Sequence, residues 1–407
     1  MGTPHGSRSG APEITGVTMT GPVVAARRFG VADSSGERHA DWLELFFDLV
    51  FVVAVAELAS TLEHHPSGPG LVRYVLLFVP VWWAWVGYTF YADRLQSGPD
   101  VTYRILMIVA MLAVAALAVA VPHAFDGTGS VRFALCYVAV RALLIVLYAR
   151  AFRLDRSARP LTGRYLTGFT IGAALWLVSI AVPTPGRYAL WAAGLLVELA
   201  VPLLSARAIA RVPFHVSHIP ERFGLFVIIV LGEAVALGAL SLGEGGQEPL
   251  PLAVGGAGFL IIGALWWLYF DGVDGSSMRH WWVSGQVYVY GHLVVLAALT
   301  AFGVGVLLAT HAVHDAALDG SARWAVCGGI GAFLLAIGLI QLCRPDGWRD
   351  PCSWVRLGAG VLFLLLRPLG AGLPLLLLEL LALVLLTTQI IVEHRLRAAM
   401  PASTAGG

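Results

Sequence analysis

Apolar segments of about 20 residues recur along the chain, and short stretches of polar residues, glycine or proline separate each segment from the next. An α-helix of that length crosses the hydrocarbon core of a bilayer, which is about 30 Å thick. We therefore predict an all-α, polytopic membrane protein with twelve transmembrane helices. The predicted helices cover about 41–62, 71–92, 101–121, 131–152, 165–182, 187–208, 222–241, 251–271, 286–310, 322–343, 354–371 and 373–394.

Both ends of the chain lack such segments. Residues 1–38 are rich in glycine, proline, serine and threonine and contain no apolar run long enough for a signal peptide. We expect a disordered cytoplasmic tail there, because such a composition buries too little apolar surface to fold. Residues 398–407 are mostly small, and we expect a second disordered tail over them.

The two halves of the chain repeat each other. The sequence R-F-A-L-C at 132–136 matches R-W-A-V-C at 323–327, and L-L-V-E-L at 195–199 matches L-L-L-E-L at 376–380. These matches predict a first six-helix repeat over residues 39–210 and a second over residues 211–397. Because six spans return the chain to the side on which it started, we expect the two repeats to be parallel.

Composition and charge support the membrane class and predict an orientation. Hydrophobic residues make up 58% of the chain and charged residues 13%, whereas soluble proteins carry about 25% charged residues. The net charge of +1 gives no reason to expect nucleic-acid binding. Twenty arginines lie on the side that holds both predicted tails and five on the other. Both termini are therefore predicted to be cytoplasmic, because short cytoplasmic loops are enriched in positive charge.

Ionisable side chains occur inside the predicted helices, where an isolated charge costs about 2.5 kcal/mol or more. Six acids and one arginine share this setting: Glu44, Asp48, Glu57, Glu198, Glu233, Glu379 and Arg141. Glu44 and Asp48 are four residues apart and lie on one helix face, and Glu57 lies on the opposite face. In one interpretation Arg141 pairs with one acid and the others are protonated or accept hydrogen bonds. We favour the other, in which the excess acids form a pathway for a proton or a monovalent cation.

Aromatic clusters lie at the ends of two predicted helices, and each cluster is followed by an aspartate. The candidate residues are Trp83, Tyr88, Tyr91, Asp93 and Arg94 in the second helix and Trp267 and Asp271 in the eighth. Tryptophan and tyrosine are enriched at membrane interfaces, and their ring faces also attract cations. The pattern therefore permits either an interfacial belt or a binding role. Tyr88 and Tyr91 are predicted to lie too deep for a simple belt, so their hydroxyl groups need partners.

The start of the seventh predicted helix carries a third group of polar residues. Glu221 and Arg222 begin this segment, and Gly232 precedes Glu233 within it. Gly232 would allow either close approach of another helix or local unwinding beside the acid. His215 and His218 precede Glu221, but an H-x-x-H spacing alone is weak evidence for a metal. We expect these histidines in a loop, with no metal and no cofactor.

Three of these segments together resemble the signatures of the bacterial low temperature requirement protein A family. They are W-L-E-L-F-F-D-L-V-F-V-V-A-V at 42–55, P-V-W-W-A-W-V-G-Y-T-F-Y-A-D-R at 80–94 and E-R-F-G-L-F-V-I-I-V-L-G-E at 221–233. The resemblance extends over about 40–395. It implies a multi-pass protein of the bacterial inner (plasma) membrane, and it brings no substrate or catalytic residues with it.

Three functional hypotheses follow. A transporter or channel for a proton or monovalent cation accounts best for the intramembrane acids, with the lipid bilayer as the other partner. A structural or stress-related membrane protein would use the same acids for packing. An intramembrane lipid-modifying enzyme would use them as general acids and bases, although no D-D-x-x-D or similar motif accompanies them. We therefore expect a protein without enzymatic activity.

Overall fold

The computed structural model describes residues 41–96, 100–209, 218–244, 248–273 and 282–399, together with Gly2. Over these ranges the chain is helical and contains no β-strand. The predicted tails lie outside the described residues, except for Gly2 and the last two residues of α12. Twelve helices of 19 residues or more follow each other in the described chain: α1 (Trp42–His64), α2 (Gly68–Leu95), α3 (Val101–Ala120), α4 (Gly127–Leu154), α5 (Arg159–Ser179), α6 (Gly186–Leu204), α7 (His218–Glu244), α8 (Pro249–Gly272), α9 (Trp282–Ala312), α10 (Asp319–Leu342), α11 (Pro351–Leu369) and α12 (Leu375–Ala399).

Eleven of these described helices are long and apolar enough to cross a membrane. The exception is α5, whose first half carries Arg159 and Arg164 among glycine and threonine residues. The chain is therefore a multi-pass helical membrane protein, as predicted, with eleven candidate spans in its described part.

Several helices begin a few residues before their predicted starts, and in α2 and α7 a proline lies in the first turn. α2 begins at Gly68, because Pro69 lies in its first turn and the Ser67 side chain accepts a hydrogen bond from the Gly70 N–H at 3.2 Å. α7 begins at His218 with Pro220 in its first turn. A proline in the first turn removes no helical hydrogen bond, because those N–H groups have no partner within the helix. His218, which was expected in a loop, therefore belongs to α7.

Small residues bring neighbouring helices of the second half close together. A Cβ atom on Gly305 of α9 would lie 2.7 Å from the Val326 nitrogen of α10, and one on Gly329 would lie 2.9 Å from the Ala298 carbonyl. Gly360 of α11 approaches the Gly331 carbonyl of α10 in the same way, at 3.0 Å. Such contacts let dispersion forces hold helices together where the lipid gives no hydrophobic driving force.

Two helices of each half make most of the contact between the two halves of the chain. α1 and α2 from the first half contact α7 and α9 from the second. At one end of the bundle α1 and α7 begin and α2 ends, and we call this the motif end because the signature segments meet there. At the opposite end, the Ser321 hydroxyl at the start of α10 donates to the Pro66 carbonyl beyond the end of α1.

Candidate functional site

The three signature segments, together with His218 just before the third, bring six polar or charged side chains together at the motif end. All six are buried or nearly so. We call this group the motif cluster, and its members are Glu44 and Asp48 of α1, Trp85 and Asp93 of α2, and His218 and Arg222 of α7.

Arg222 binds both acids of α1. Its Nε lies 3.0 Å from Asp48 Oδ2, its Nη2 contacts Asp48 Oδ1, and its Nη1 lies 3.0 Å from Glu44 Oε2. The bond to Asp48 is thus bidentate, which is the strongest arrangement of a guanidinium with a carboxylate. The helical spacing of four residues presents both acids to one guanidinium. The expectation that only Arg141 opposes the buried acids is therefore wrong.

The Trp85 side chain fixes the position of the Asp48 carboxylate. Its indole Nε1–H donates a hydrogen bond to Asp48 Oδ1 at 2.7 Å. The same ring stacks on Phe226 of α7 with 4.5 Å between ring centroids. Because an off-centre stack favours one relative orientation of the rings, Trp85 connects the carboxylate of α1 to the helix that carries Arg222.

His218 lies between the carboxylates of Glu44 and Asp93. Its Nε2 is 3.0 Å from Glu44 Oε2, and its Nδ1 is 2.9 Å from Asp93 Oδ1. The imidazole ring is fully buried. One histidine at the start of α7 thus joins the start of α1 to the end of α2.

The two contacts of His218 require one proton more than a neutral imidazole and two ionised carboxylates hold. A neutral imidazole has one N–H and can donate to one carboxylate only, while its other nitrogen presents a lone pair. Two carboxylate contacts at hydrogen-bond distance therefore need either an imidazolium or a protonated carboxyl group. With an imidazolium and three carboxylates, the motif cluster carries one net negative charge. The arrangement can hold or release one proton at a buried position.

A second ionic site lies deeper, between α4 and α6. Arg141 Nη2 is 2.8 Å from Glu198 Oε2, and the Tyr137 hydroxyl donates to the same oxygen at 2.9 Å. Gly172 of α5 leaves room for this pair, because a Cβ atom there would lie 2.5 Å from Glu198 Oε1. Arg141 and Glu198 are both fully buried. The structure thus pairs Arg141 with one of the predicted acids.

A third ionic site was not predicted. Arg356 of α11 donates to Glu393 of α12 through Nε at 3.0 Å and through Nη2 at 2.6 Å. Gln389 and Arg397 also donate to Glu393, at 2.9 and 3.1 Å. Arg356 was not among the predicted intramembrane residues, because it lies near the start of its predicted helix. Arg356 is buried because α8 and α12 pack around it, and no pattern in the neighbouring sequence predicts that packing.

The remaining acids lie apart from these sites. Glu379 is fully buried, and neither of its carboxylate oxygens has a hydrogen-bond partner among the described residues. Glu57 and Glu233 are half-buried, and no hydrogen bond to either carboxylate occurs within the described part of the chain. Apart from Glu44 and Asp48, which share Arg222, the predicted acids therefore occupy separate positions and do not converge on one cavity.

The aromatic cluster of α2 is an interior element. Trp83 is 2% exposed and stacks on Tyr290 of α9 at 6.0 Å, so it is not part of a lipid-facing belt. The Tyr88 hydroxyl donates to the Val140 carbonyl at 2.7 Å. Tyr91 packs edge-on against Tyr148 at 5.2 Å.

The other predicted aromatic and polar candidates differ in burial, since Arg94 is buried and Trp267 is exposed. Arg94 is 5.0 Å above the Phe90 ring. Trp267 is half exposed, as an interfacial belt requires, and its indole donates to Asp271 at 2.8 Å. Arg397 Nη1 lies 3.6 Å from the same aspartate.

The predicted features around α7 have mixed outcomes. Gly232 is exposed in an unbroken helix, and a Cβ atom there would meet nothing within 4 Å. It therefore provides neither close packing nor unwinding. Glu221 is half-buried in the first turn of α7, and His215 lies outside the described residues. Within the described ranges, no group of three or more histidine, cysteine, aspartate or glutamate residues has a metal-binding arrangement.

One further ion pair lies at the motif end, just before the α3 span. The Asp100 carboxylate caps α3 by accepting from the Thr102 N–H at 3.0 Å, and it lies 2.6 Å from Arg150 Nη2. Burial raises the pKa of Asp100, but the Arg150 guanidinium and the backbone N–H groups of Tyr103 and Thr102 together lower it more. The pKa of Asp100 is therefore below its usual value of 3.8.

Comparisons with known proteins identify a family and a relative. The family model described as bacterial low temperature requirement A protein (LtrA) matches residues 39–392. The chain is also 29% identical over 301 residues to uncharacterized protein RA0937 of Rhizobium meliloti (strain 1021), an alignment that covers 67% of this chain and 73% of that protein. The family match includes all three signature segments and also His218, and therefore the whole motif cluster.

Proposed function

Since the chain belongs to the bacterial low temperature requirement A (LtrA) family, we propose that it is a transporter or channel that uses intramembrane carboxylates to move a proton or a monovalent cation. The observation that carries this proposal is the position of His218 between Glu44 and Asp93, at 3.0 and 2.9 Å. These two contacts need one additional proton. A buried group that must be protonated to satisfy its neighbours is a natural site for proton exchange.

Proton release at this site would weaken a contact between the two halves of the chain. The motif cluster joins α1 and α2 of the first half to α7 of the second. When the extra proton leaves, His218 keeps a hydrogen bond to one carboxylate and faces the other with a lone pair. Removing one partner from a buried ion pair costs about 3–5 kcal/mol. That energy is large enough to shift an equilibrium between two arrangements of the halves.

The proposed bundle has twelve spans arranged as two parallel six-helix repeats. In this arrangement α5 also crosses the membrane, in addition to the eleven candidate spans. Helix neighbours support this arrangement. The pairs α1–α3, α3–α4, α4–α5 and α5–α6 all pack together, and so do α7–α9, α9–α10, α10–α11 and α11–α12. With both termini in the cytoplasm, the motif end faces the cytoplasm of the bacterial inner membrane.

Flux measurements in reconstituted vesicles test the transport proposal. The purified protein is incorporated into liposomes that contain a pH-sensitive dye, and a pH gradient is imposed with and without potassium or sodium. We expect His218→Gln and Asp93→Asn to lower the proton flux at least about tenfold, equivalent to about 1.4 kcal/mol in the barrier. Glutamine retains hydrogen bonding at position 218 but binds no proton.

The matched control is His64→Gln, because His64 is an exposed histidine at the far end of α1. It should carry the wild-type flux. Wild-type flux in a monodisperse His218→Gln protein would overturn the assignment of the motif cluster.

A structural role is the second candidate, and two ionic sites favour it. The Arg141–Glu198 and Arg356–Glu393 pairs are buried, and each connects two helices of the same half. Such pairs specify packing without any movement of charge. In that case the wild-type protein would give no flux above empty liposomes in the same assay, and amide replacements in the motif cluster would change stability only.

A further inference from the structure

An apolar groove of about 620 Å³ lies on the side of the bundle, away from the motif cluster. Three helices form its walls: α2, α9 and α10. Val75, Val294 and Trp324 on its rim are each nearly half exposed, so the groove opens sideways. In a membrane-spanning chain, that opening faces lipid.

The depth of the groove matches one leaflet of a bilayer. On α10 its lining extends from Gly320, next to the helix start, to Ala332. Twelve residues of helix rise about 18 Å, and half of the hydrocarbon core is about 15 Å. The groove therefore reaches from the head-group region of one leaflet to about the middle of the membrane.

Most polar groups that line the groove are already engaged within the protein. The Tyr74 hydroxyl donates to the Ala297 carbonyl at 2.7 Å. The Ser321 hydroxyl donates to Pro66, and the Ser67 side chain accepts from Gly70. A polar solute would find few hydrogen-bonding partners there, whereas a hydrocarbon chain needs none.

Arg367 provides an uncompensated positive charge at the mouth of the groove. This residue is exposed at the end of α11, and its guanidinium lies 5.7 Å above the Trp324 ring. Within the described part of the chain it makes no ion pair. Its neighbour Arg323 is, by contrast, neutralised by Asp319 at 2.6 Å. The helix end places Arg367 at the depth of lipid phosphates, which arginine binds through charge-assisted hydrogen bonds.

We propose that this groove binds one phospholipid with a net negative head group. The phosphate lies on Arg367, and one acyl chain follows the apolar wall toward Ala332. The positive charge at the mouth favours an anionic head group. The depth of the groove, about one leaflet, fits one acyl chain.

Native mass spectrometry of the purified protein tests the site, with phosphatidylglycerol and phosphatidylcholine added in separate titrations. The wild-type protein should retain one phosphatidylglycerol through mild activation, and phosphatidylcholine at least about tenfold less. Arg367→Gln removes the charge and should lower retention at least about tenfold, since a hydrogen bond to a charged group is lost. Ala332→Phe fills the deep end of the groove and should have a similar effect.

The matched control is Arg73→Gln, because Arg73 is another exposed arginine at the same end, stacked over Phe125 at 6.0 Å and absent from the groove lining. It should retain phosphatidylglycerol like the wild type. Wild-type retention by Arg367→Gln, or by a monodisperse Ala332→Phe protein, would overturn the proposal. Equal retention of phosphatidylcholine by the wild type would do the same. Neither result depends on whether the motif cluster carries protons.

Discussion

Three buried arginines each meet a carboxylate from another helix. Arg222 binds Asp48, Arg141 binds Glu198, and Arg356 binds Glu393. An uncompensated charge in the membrane interior is costly, so each pair constrains the helices that supply it. At the scale of single residues, these pairs determine which helix faces can meet.

The Arg222→Gln substitution should destabilise the fold. It leaves Glu44 and Asp48 without the cation that neutralises them, and breaking such a buried pair costs about 3–5 kcal/mol. Arg132→Gln, at an exposed arginine of α4, should be nearly neutral. Unfolding of both detergent-solubilised variants by denaturant gives the comparison, and equal stability would show that the Arg222 contacts contribute little.

The Asp100→Asn substitution should give a pH-dependent loss of stability. The pKa of Asp100 is lower in the folded protein than its usual 3.8, so ionisation stabilises the fold above that value. The stabilisation is lost as the pH falls through the folded pKa. The melting-temperature difference between wild type and variant should be constant at neutral pH and shrink below about pH 3.8. Intrinsic fluorescence melts across pH measure it, and a difference that stayed constant in acid would contradict the role of the charge.

Close approach between helices and side chains depends on a few glycines. Gly272 ends α8 directly against the Arg356 guanidinium, since a Cβ atom there would lie 2.0 Å from Arg356 Nη1. Gly263 of the same helix is exposed, with nothing within 4 Å of its added Cβ. At the scale of elements, the absence of a side chain at Gly272 allows α8 to contact α11.

Alanine substitutions at these two glycines should therefore have opposite effects on the stability of the protein. Gly272→Ala should destabilise the protein by about 1–3 kcal/mol, because the added methyl group displaces Arg356 from Glu393. Gly263→Ala should be neutral or stabilising by up to about 1 kcal/mol, because alanine favours a helix. Thermal melts in detergent provide the measurement. A Gly272→Ala protein as stable as wild type would mean that Arg356 has room to move.

The number of spans is a property of the whole molecule, and α5 decides it. If α5 crosses the membrane, Ser157 before it and Thr184 after it lie on opposite sides. Single cysteines at these exposed positions, in a background without native cysteines, should then react differently with a membrane-impermeant thiol reagent. Thr184→Cys should label in intact cells, and Ser157→Cys only after the membrane is opened. Labelling of both from one side would remove α5 as a span.

Several features of the fold and the site were predictable because they depend on local spacing. The membrane class, the helix ranges and the shared face of Glu44 and Asp48 follow from apolar length and from a repeat of 3.6 residues per turn. The family followed from three contiguous segments and is confirmed. The start of α7 was misplaced, because the first-turn role of Pro220 depends on a helix boundary that no periodicity marks.

By itself, the sequence determined that this protein is a helical membrane protein of the LtrA family, since hydrophobic length and motif order are properties of neighbouring residues. Only the tertiary structure decided how the charges pair. Arg222 and Asp48 are 174 residues apart, and no spacing along the chain indicates that α7 packs its first turn against α1. The position of His218 between two acids has the same origin, because it needs α1, α2 and α7 to meet at one end of the bundle.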